Sequence, residues 1–488
     1  MEENKKNITR RIFIKDSAVL SIGAGLAFTN VTSSIAQTQK RSSIVTGKWD
    51  KKLVGYYSNP QEILEKPRFM DALQKQLGVN VILMHHPLKY TPEILQLNPL
   101  KAEGGFIGNG YAEDDSKLNK CIEEVHRRGM DFWLYFSGMH GAEKHKKHCA
   151  VDFSGVPFSD LAPTPYAICQ TLIAYCPSRP DIREWNRASY NFGASNYNVD
   201  GVYVTHFRYA NPSFFGNIFG CACPFCQAEA ARKGYNFAAM KKACLSLQNK
   251  LKRLKLSHVK EAAKLRLTLM DFISILGEDQ AVFDWLYFRA SVFGDHLKLI
   301  RNSIHATTGK SFVTDTHPAT MALYVGHNYA DLQSGASDGL MPLGWLDPQM
   351  MSAVASWSAL LCKWVPGLDE PTSLQVVKNF FGYGNLPLPK DRIDSLGIKA
   401  NWYDPSVSWK PAGDFYKYYT QEQIYALYDN EITKLRVLNT TNSPAFPIIK
   451  GKEWARETCE RLIARCMELG HTGYVFQWVD NFIDPAKY

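Results

Sequence analysis

The chain has 488 residues and a formal net charge of +9, with 45% hydrophobic and 21% charged residues. This composition is ordinary for a globular protein, and no repeat or low-complexity tract competes with that interpretation. Lysine and arginine are scattered and form no basic stripe interleaved with aromatic residues, so the charge gives a nucleic-acid partner little support. Aromatic residues make up 12% of the chain, which suits either a large core or a groove that stacks sugar rings.

The N-terminus carries the pattern of an export signal. Residues 9–15 read TRRIFIK, which matches a twin-arginine motif, and an apolar stretch and a small-x-small site at 34–36 follow. We therefore expect a signal peptide over residues 1–36, a flexible linker over 37–48 and a periplasmic or extracellular mature protein. The alternative is a membrane-anchoring helix, but the apolar run is short and rich in Gly and Ser.

From residue 49 to residue 488 the chain alternates short β-rich runs with longer helical patterns, which is typical of βα units around a parallel sheet. The predicted strands lie at 52–57, 79–84, 131–136, 199–204, 311–315, 338–343, 444–449 and 473–478. Eight such strands predict an α/β fold, the (β/α)8 TIM barrel. We expect a helical insertion after strand four, within 221–305, and a long irregular excursion after strand six, over 366–406. The insertion is a candidate homodimer surface.

The active site of such a barrel lies at the carboxyl ends of its strands. Glycoside hydrolysis needs two carboxyl groups across the scissile bond. Asp315 and Glu453 are the predicted catalytic pair, with Asp480 and Asp347 in reserve. Glu453 also fits a first-turn acid that complements a helix dipole. By contrast, two Asp-Gly pairs at the amino ends of strands, which begin at Asp200 and Asp338, are predicted to cap or turn the chain.

Other polar and aromatic side chains follow the predicted strands and are candidate substrate-binding residues. They are Tyr57, His85, His86, His140, His206, Arg208, His317, Trp345, Lys450, Gln477 and Trp478. Three of the histidines, His85, His86 and His140, could form a metal site with Asp315; alternatively, they orient a substrate through hydrogen bonds. Arg208 could bind a carboxylate of the substrate or pair with a neighbouring acidic side chain. The tryptophans suit either sugar stacking or core packing.

A cysteine cluster follows strand four. Cys221, Cys223 and Cys226 supply three thiolates in one tight turn, and tetrahedral zinc requires a fourth ligand. Cys176 is the best candidate, ahead of Cys169 and Cys149. A closed site of this kind would hold one structural Zn²⁺ and pin the third and fourth loops together. A disulfide formed after export and unmetallated thiols remain the alternatives, although the total of 11 cysteines does not suit a pure disulfide framework.

Several stretches resemble a known family. The segments DGVYVTHFRYANPS and CACPFCQAEAARKGYN, with CPSRPDIREW upstream and FVTDTHPATMALYVGHNYADLQSGASDGLMPLGW downstream, are similar to bacterial glycoside-hydrolase-like TIM-barrel proteins, many of them exported by the twin-arginine route. The cysteine spacing also resembles the zinc cluster of family 42 β-galactosidases, in which a fourth cysteine lies upstream as Cys176 does. The resemblance implies the barrel and a carbohydrate-related role. Related barrels often carry an aspartate where this chain has Thr205.

The sequence therefore predicts an exported glycoside-hydrolase-like enzyme that acts on an oligo- or polysaccharide by acid/base carboxylate chemistry. Two alternatives remain open. A non-catalytic carbohydrate-binding barrel is favoured by Thr205, and a metal-dependent hydrolase would use His85, His86 and Asp315. We expect no organic cofactor, no nucleic-acid partner and no stable membrane span after signal cleavage.

Overall fold

The computed structural model describes residues 52–161, 166, 173–209, 212–213, 215–277, 280–343, 348–398 and 415–488. The predicted signal peptide and linker lie outside these residues. The strands are β1 (Leu53–Ser58), β2 (Val81–His85), β3 (Asp131–Ser137), β4 (Gly201–Thr205), β5 (Ser311–Thr316), β6 (Gly339–Pro342), β7 (Ile448–Ile449) and β8 (Gly473–Phe476).

These eight strands form one parallel sheet in the order β6-β5-β4-β3-β2-β1-β8-β7. The sheet curls until its two edges meet. At this junction the Leu340 N–H donates to the Pro444 carbonyl at 2.9 Å and the Phe446 N–H donates to the Leu340 carbonyl at 2.8 Å. Short strands joined in sequence order, each followed by helical chain, give a nearly closed (β/α)8 barrel. The predicted fold class is confirmed.

The helices that surround the barrel have amphipathic sequences. They are α1 (Pro60–Glu65), α2 (Pro67–Leu77), α3 (Pro92–Gln96), α4 (Ser116–Arg127), α5 (Pro180–Asn196), α6 (Pro224–Arg232), α7 (Phe237–Leu251), α8 (Leu256–Leu265), α9 (Leu269–Ile275), α10 (Ala281–Thr308), α11 (Tyr329–Asp331), α12 (Pro348–Trp364), α13 (Glu370–Phe380), α14 (Gln421–Leu438) and α15 (Arg456–Glu468). In α2, Phe69 and Leu73 are buried, and Gly78 ends the helix at φ 69°. None of the described helices combines the length and apolarity needed to cross a bilayer.

Two excursions leave the regular βα alternation. The chain after β4 forms the predicted helical insertion, in which α6 to α9 precede the long α10 that packs against α5. The chain after β6 is not wholly irregular, since α13 lies within it, so the prediction for 366–406 is wrong over 370–380. The Asp369 side chain caps this helix by accepting from the Thr372 N–H at 2.8 Å, and Pro371 lies in its first turn, where proline is tolerated.

Two aspartates join neighbouring strands at the amino end of the barrel. Asp200 accepts from the Phe132 N–H at 2.8 Å and contacts His126 at 2.7 Å. Asp338 accepts from the Phe312 N–H at 2.8 Å and pairs with both Arg301 and His305 at 2.6 Å. Both Asp-Gly pairs are therefore structural, as predicted.

Candidate active site

A cavity of about 230 Å³ opens at the carboxyl end of the barrel. The described residues that line it lie near the ends of six of the eight strands or in the chain that follows them. They are Tyr57, Tyr135, Tyr203, Thr205, His206, Arg208, His317, Pro318, Leu343, Gln349, Met350, Gln477 and Trp478. This mouth cavity brings together Tyr57, His206, Arg208, His317, Gln477 and Trp478 of the predicted substrate-binding set. It is the position at which barrel enzymes place their chemistry.

Three tyrosines form the inner wall of the mouth cavity. The Tyr57 hydroxyl donates to the Tyr203 hydroxyl at 2.7 Å, and the ring centroids of Tyr57, Tyr135 and Tyr203 lie 5.2 to 5.8 Å apart. Burial raises the pKa of all three hydroxyls, so they stay neutral at physiological pH. The wall therefore presents aromatic surface and uncharged hydroxyls to a ligand.

Asp315 lies next to the cavity lining and is fully buried at the end of β5. Its Oδ2 accepts from the Thr205 hydroxyl at 2.7 Å and from the His206 N–H at 3.2 Å, while its Oδ1 has no hydrogen-bond partner among the described residues. Burial raises the pKa of this carboxyl, against the opposing effects of the Arg208 charge and the two hydrogen bonds. Thr205 on β4 thus donates a hydrogen bond to the acid of the neighbouring strand.

His317 follows Asp315 by two residues and is only 2% exposed. Its N–H donates to His327 Nδ1 at 3.1 Å and its carbonyl accepts from the Tyr329 hydroxyl at 2.9 Å, so its backbone is fixed. Both ring nitrogens lack a partner among the described residues. Burial, followed by the Arg208 charge, holds the pKa of the ring well below its usual value. The neutral imidazole offers one donor and one acceptor to the cavity.

Two further histidines stack above the end of β4. The His140 and His206 ring centroids lie 5.1 Å apart, and His140 Nε2 is 3.1 Å from the Arg208 carbonyl. His206 has the unusual φ of 57°, a backbone conformation often found at functional sites. Burial, together with Arg208, lowers the pKa of His206 to about 3. His206 lines the cavity, whereas His140 supports it from behind.

On the opposite side of the cavity, Trp478 is the exposed aromatic residue. It is 38% exposed and has φ 62°, and the Lys450 ammonium lies 5.8 Å from its ring centroid. Lys450 is buried, donates to the Tyr416 hydroxyl at 2.8 Å and lies 3.1 Å from Glu453 Oε2. Helix α15 begins only at Arg456, so the interpretation of Glu453 as a first-turn acid is wrong. No hydrogen bond or ion pair among the described residues joins Glu453 to Asp315.

The other described site residues are not part of the cavity lining. His85 is exposed, with its ring 5.6 Å from that of Tyr135, and His86 Nδ1 is 2.7 Å from the Pro87 carbonyl. Asp480 pairs with Lys452 at 3.4 Å. Trp345 and Asp347 lie outside the described residues. Within those residues the histidines and Asp315 do not converge on one point, so the alternative metal site is not assembled.

Seven of the lining residues were absent from the predicted site set: Tyr135, Tyr203, Thr205, Pro318, Leu343, Gln349 and Met350. Tyr135 and Tyr203 fall within the predicted strands at 131–136 and 199–204. The signal for the tyrosines is present in the sequence, because Tyr57, Tyr135 and Tyr203 each stand one or two residues before the end of their strand. An aromatic residue at this position of an inward-facing row points to the mouth of a barrel.

The four predicted metal ligands do converge. The sulfur atoms of Cys176, Cys221, Cys223 and Cys226 all lie within 4.8 Å of one another, with Cys176 Sγ 3.3 Å from Cys223 Sγ and 3.7 Å from Cys226 Sγ. Tetrahedral zinc with bonds of about 2.3 Å separates its sulfur ligands by roughly 3.8 Å. All four cysteines are free thiols, and the buried Cys149 stays outside the cluster. Cys169 lies outside the described residues. This group of thiols could hold a metal ion such as zinc.

The cluster connects the loops that carry the mouth residues. Cys176 belongs to the chain after β3, and the other three ligands belong to the chain after β4. Hydrogen bonds reinforce the connection, since the Val151 N–H donates to Cys221 Sγ at 3.4 Å and the Ala222 N–H donates to the Val151 carbonyl at 2.8 Å. A metal bound here would therefore fix the loops of His140 and Arg208.

No sequence profile of a protein family matches the chain, and no curated protein matches it in sequence. Solved structures do match. The PgaB (BpsB) glycoside hydrolase domain from Bordetella bronchiseptica has a TM-score of 0.45 and 8% identity, over 90% of this chain and 97% of that domain. The β-amylase catalytic domain from Paenibacillus polymyxa has a TM-score of 0.43 and 10% identity, over 89% and 94%.

A third solved structure, α-L-fucosidase isoenzyme 2 from Paenibacillus thiaminolyticus, has a TM-score of 0.39 and 11% identity, over 90% of this chain and 48% of that one. With TM-scores below 0.5 and identities of 8% to 11%, these likenesses carry no argument about the function of this chain. The chemistry of the site must be argued from the residues that form it.

Proposed function

We propose that the protein is a glycoside-hydrolase-like enzyme that binds an oligo- or polysaccharide in the mouth cavity and cleaves it by acid/base carboxylate chemistry. The observation that carries this proposal is the state of Asp315. Its pKa is raised by burial and its Oδ1 has no partner among the described residues. A carboxyl that keeps its proton to higher pH and has a free oxygen suits the general acid of a glycosidase.

The rest of the mouth cavity suits a sugar. Sugar rings have apolar faces and edges of hydroxyl groups, so they are bound by aromatic rings and by neutral polar groups. Trp478 offers an exposed ring at the rim, and His317 offers both ring nitrogens. Gln477 adds a buried Oε1 that has no hydrogen-bond partner within the described chain. These groups would satisfy sugar hydroxyls without any further rearrangement of the backbone.

The second carboxyl group of the proposed mechanism is Glu453, with Asp480 and Asp347 in reserve. Glu453 is paired with the buried Lys450, whose ammonium also lies against the Trp478 ring. It is thus connected to the cavity through Lys450 and Trp478 rather than through Asp315. We also propose that Cys176, Cys221, Cys223 and Cys226 bind one structural Zn²⁺, which would order the loops without taking part in the reaction.

The test of the enzymatic proposal is a panel of aryl glycosides and natural oligosaccharides with Asp315→Asn, Glu453→Gln and the exposed control Asp114→Asn. Loss of a general acid costs roughly 10²- to 10⁴-fold in rate. We expect at least a 100-fold loss of rate for Asp315→Asn, no loss for Asp114→Asn, and no fall in the thermal midpoint of either variant. Full activity of both Asp315→Asn and Glu453→Gln would overturn the assignment.

A second candidate function is carbohydrate binding without hydrolysis. The described residues that line the mouth cavity include no carboxylate, because Asp315 lies just behind Thr205 and His206. Quenching of Trp478 fluorescence by oligosaccharides, with no product released over long incubation, would favour this function. Product release that depends on Asp315 would exclude it.

Export by the twin-arginine route is proposed from the motif at residues 9–15, with the periplasm or the extracellular medium as the destination. Cell fractionation of a chain that carries Arg10→Lys and Arg11→Lys tests it. Retention of the variant inside the cell, with the unchanged chain outside, is the expected result. Equal export of both chains would contradict the proposal.

A further inference from the structure

A second pocket, of about 520 Å³, lies beside the cysteine cluster and away from the mouth cavity. Two of the four cluster thiols, Cys176 and Cys223, line it. The four thiols differ in exposure, since Cys176, Cys221 and Cys226 are at most 1% exposed and Cys223 is only partly buried. A reagent from solvent would therefore meet Cys223 first.

Four cationic side chains line the same pocket: Lys146, Lys147, Arg179 and Lys241. Three of them are paired with carboxylates, Lys146 with Asp160 at 2.8 Å, Lys147 with Glu103 at 2.6 Å and Arg179 with Asp181 at 2.6 Å. The Lys241 ammonium donates to the Phe153 carbonyl at 2.7 Å. We call these four residues the cationic collar.

Two properties of the collar make the pocket attractive to anions. The side chains of Lys146 and Lys147 are 62% and 64% exposed, so their ion pairs are weak and open readily. Helix α6 begins at Pro224, with Cys223 as its first flanking residue, and a helix N-terminus adds partial positive charge. Anionic ligands of low mass would be drawn toward the exposed thiol.

The collar also suits the charge of a filled cluster. Four thiolates around a divalent ion carry two excess negative charges, which nearby cations stabilise. That role alone would explain cations close to the buried sulfur atoms. It does not explain why Lys146 and Lys147, the most exposed members, stand at the rim of an open pocket that ends at the most exposed thiol.

We propose that this pocket is the access route of the metal to the cluster, with Cys223 as the ligand reached first and the collar as a guide for anionic metal carriers of low mass, such as metal carboxylates and metal thiolates. The inference concerns the cluster alone and does not depend on the reaction at the mouth cavity. Transfer of the ion requires no oxidation or reduction, since a carrier donor atom simply takes the place of a thiolate or yields to it.

The order of access is tested on the metal-free full chain with iodoacetamide, which forms an S–C bond with a thiolate as iodide leaves. Mass spectrometry after short exposures measures modification at each cluster cysteine. We expect modification of Cys223 to be complete before any appears at Cys176, Cys221 or Cys226. Equal or earlier modification of one of those three would overturn the proposed route.

The guiding role is tested on the zinc-loaded chain by the rate of zinc removal with EDTA, an anion, and with 1,10-phenanthroline, which is neutral. The variant carries Lys146→Gln and Lys147→Gln, and the matched control is Lys264→Gln, an equally exposed and ion-paired lysine on α8. Electrostatic guidance changes association rates by about 10-fold or more at low salt. We expect the variant to lose about threefold or more of the EDTA rate and none of the phenanthroline rate.

Varying the ionic strength provides a second test of electrostatic guidance in the same experiment. Raising the ionic strength from about 0.05 M to 0.5 M shortens the screening length to a few ångströms. The EDTA rate of the unchanged chain should then fall to that of the double variant. A rate that is independent of chelator charge and salt, or a chain that retains no zinc, would overturn the proposal.

Discussion

Buried aspartates at the two ends of the barrel differ in their partners and in the direction of their pKa shifts. At the amino end, Asp338 accepts from the Phe312 N–H and pairs with Arg301 and His305. Burial alone would raise the pKa of this carboxyl, but those partners hold it below its usual value. At the mouth, burial raises the pKa of Asp315, and its Oδ1 has no partner among the described residues.

This difference indicates that the paired aspartate at the amino end contributes to stability, whereas the aspartate at the mouth has an atom available to a ligand. A buried polar atom without a partner costs free energy, and a ligand that hydrogen-bonds to the atom can offset this cost. His317 and Gln477 share this property with Asp315 at the mouth. The loops after β3 and β4 are connected there through the cysteine cluster.

The largest expected effect is on the cluster itself. Cys176→Ser should abolish retention of the metal ion, because a closed zinc site needs all four ligands, and should lower the free energy of unfolding by several kcal/mol. Elemental analysis and hydrogen exchange measure the two effects. The loss of exchange protection should be confined to the loops after β3 and β4. Cys149→Ser is the matched control, a nearby buried cysteine outside the cluster, and an equal loss of metal in that variant would contradict the ligand set.

The next effect concerns the amino end. Asp338→Asn should lower the free energy of unfolding by about 2–4 kcal/mol, since it leaves the cationic partners Arg301 and His305 without their carboxylate. Asp315→Asn should leave stability unchanged or slightly raised, because a neutral amide replaces a carboxyl that burial disfavours as an anion. Urea unfolding compares the two variants. A larger loss of unfolding free energy for Asp315→Asn than for Asp338→Asn would contradict the proposal that the amino-end aspartate contributes more to stability.

The pH dependence of stability should differ in sign between the same two residues. The folded pKa of Asp315 is raised, so its contribution is complete below the unfolded value of about 3.9 and declines as the pH rises toward the folded value. The folded pKa of Asp338 is lowered, so its contribution is complete above about 3.9 and is lost as the pH falls further. Thermal midpoints from pH 3 to pH 8 check both slopes.

In that series, Asp315→Asn should gain stability over the unchanged chain as the pH rises above about 4, and the cost of Asp338→Asn should shrink below it. A common slope for the two variants would contradict the assigned pKa directions. Because the variants serve as controls for each other, a general effect of acid on the chain cancels in the comparison.

Much of the fold was predictable from the sequence, because short β-rich runs and amphipathic helices leave clear periodic patterns. Strand β3, predicted over 131–136, spans Asp131–Ser137. Strand β7 was predicted over 444–449 and spans only Ile448–Ile449, since Pro444 and Pro447 have no N–H to pair. Helix α13 was not predicted, because the Gly and Pro residues around it indicated irregular chain.

The site was less predictable, because its chemistry depends on contacts between strands. The position of Asp315 followed from the sequence, but its hydrogen bond from Thr205 depends on the pairing of β4 with β5. Cys176 was identifiable because three clustered cysteines require a fourth. The pairing of Glu453 with Lys450 was not predicted, because both residues precede the helix that begins at Arg456 and their spacing of three residues has no fixed meaning outside a helix.

The smallest expected effect is on the side-chain hydrogen bonds of one residue at each end. Tyr57→Phe removes the donor of the Tyr57–Tyr203 hydroxyl bond at the mouth. At the amino end, Asn80→Ala removes the side chain that accepts from the Val54 N–H at 2.9 Å and donates to the exposed Lys52 carbonyl at 2.8 Å. Each should cost about 0.5–1.5 kcal/mol of stability. Only Tyr57→Phe should also weaken the quenching of Trp478 fluorescence by a bound oligosaccharide, because Tyr57 lines the mouth cavity and Asn80 does not. Equal quenching in both variants would show that the tyrosine wall belongs to the core rather than to the site.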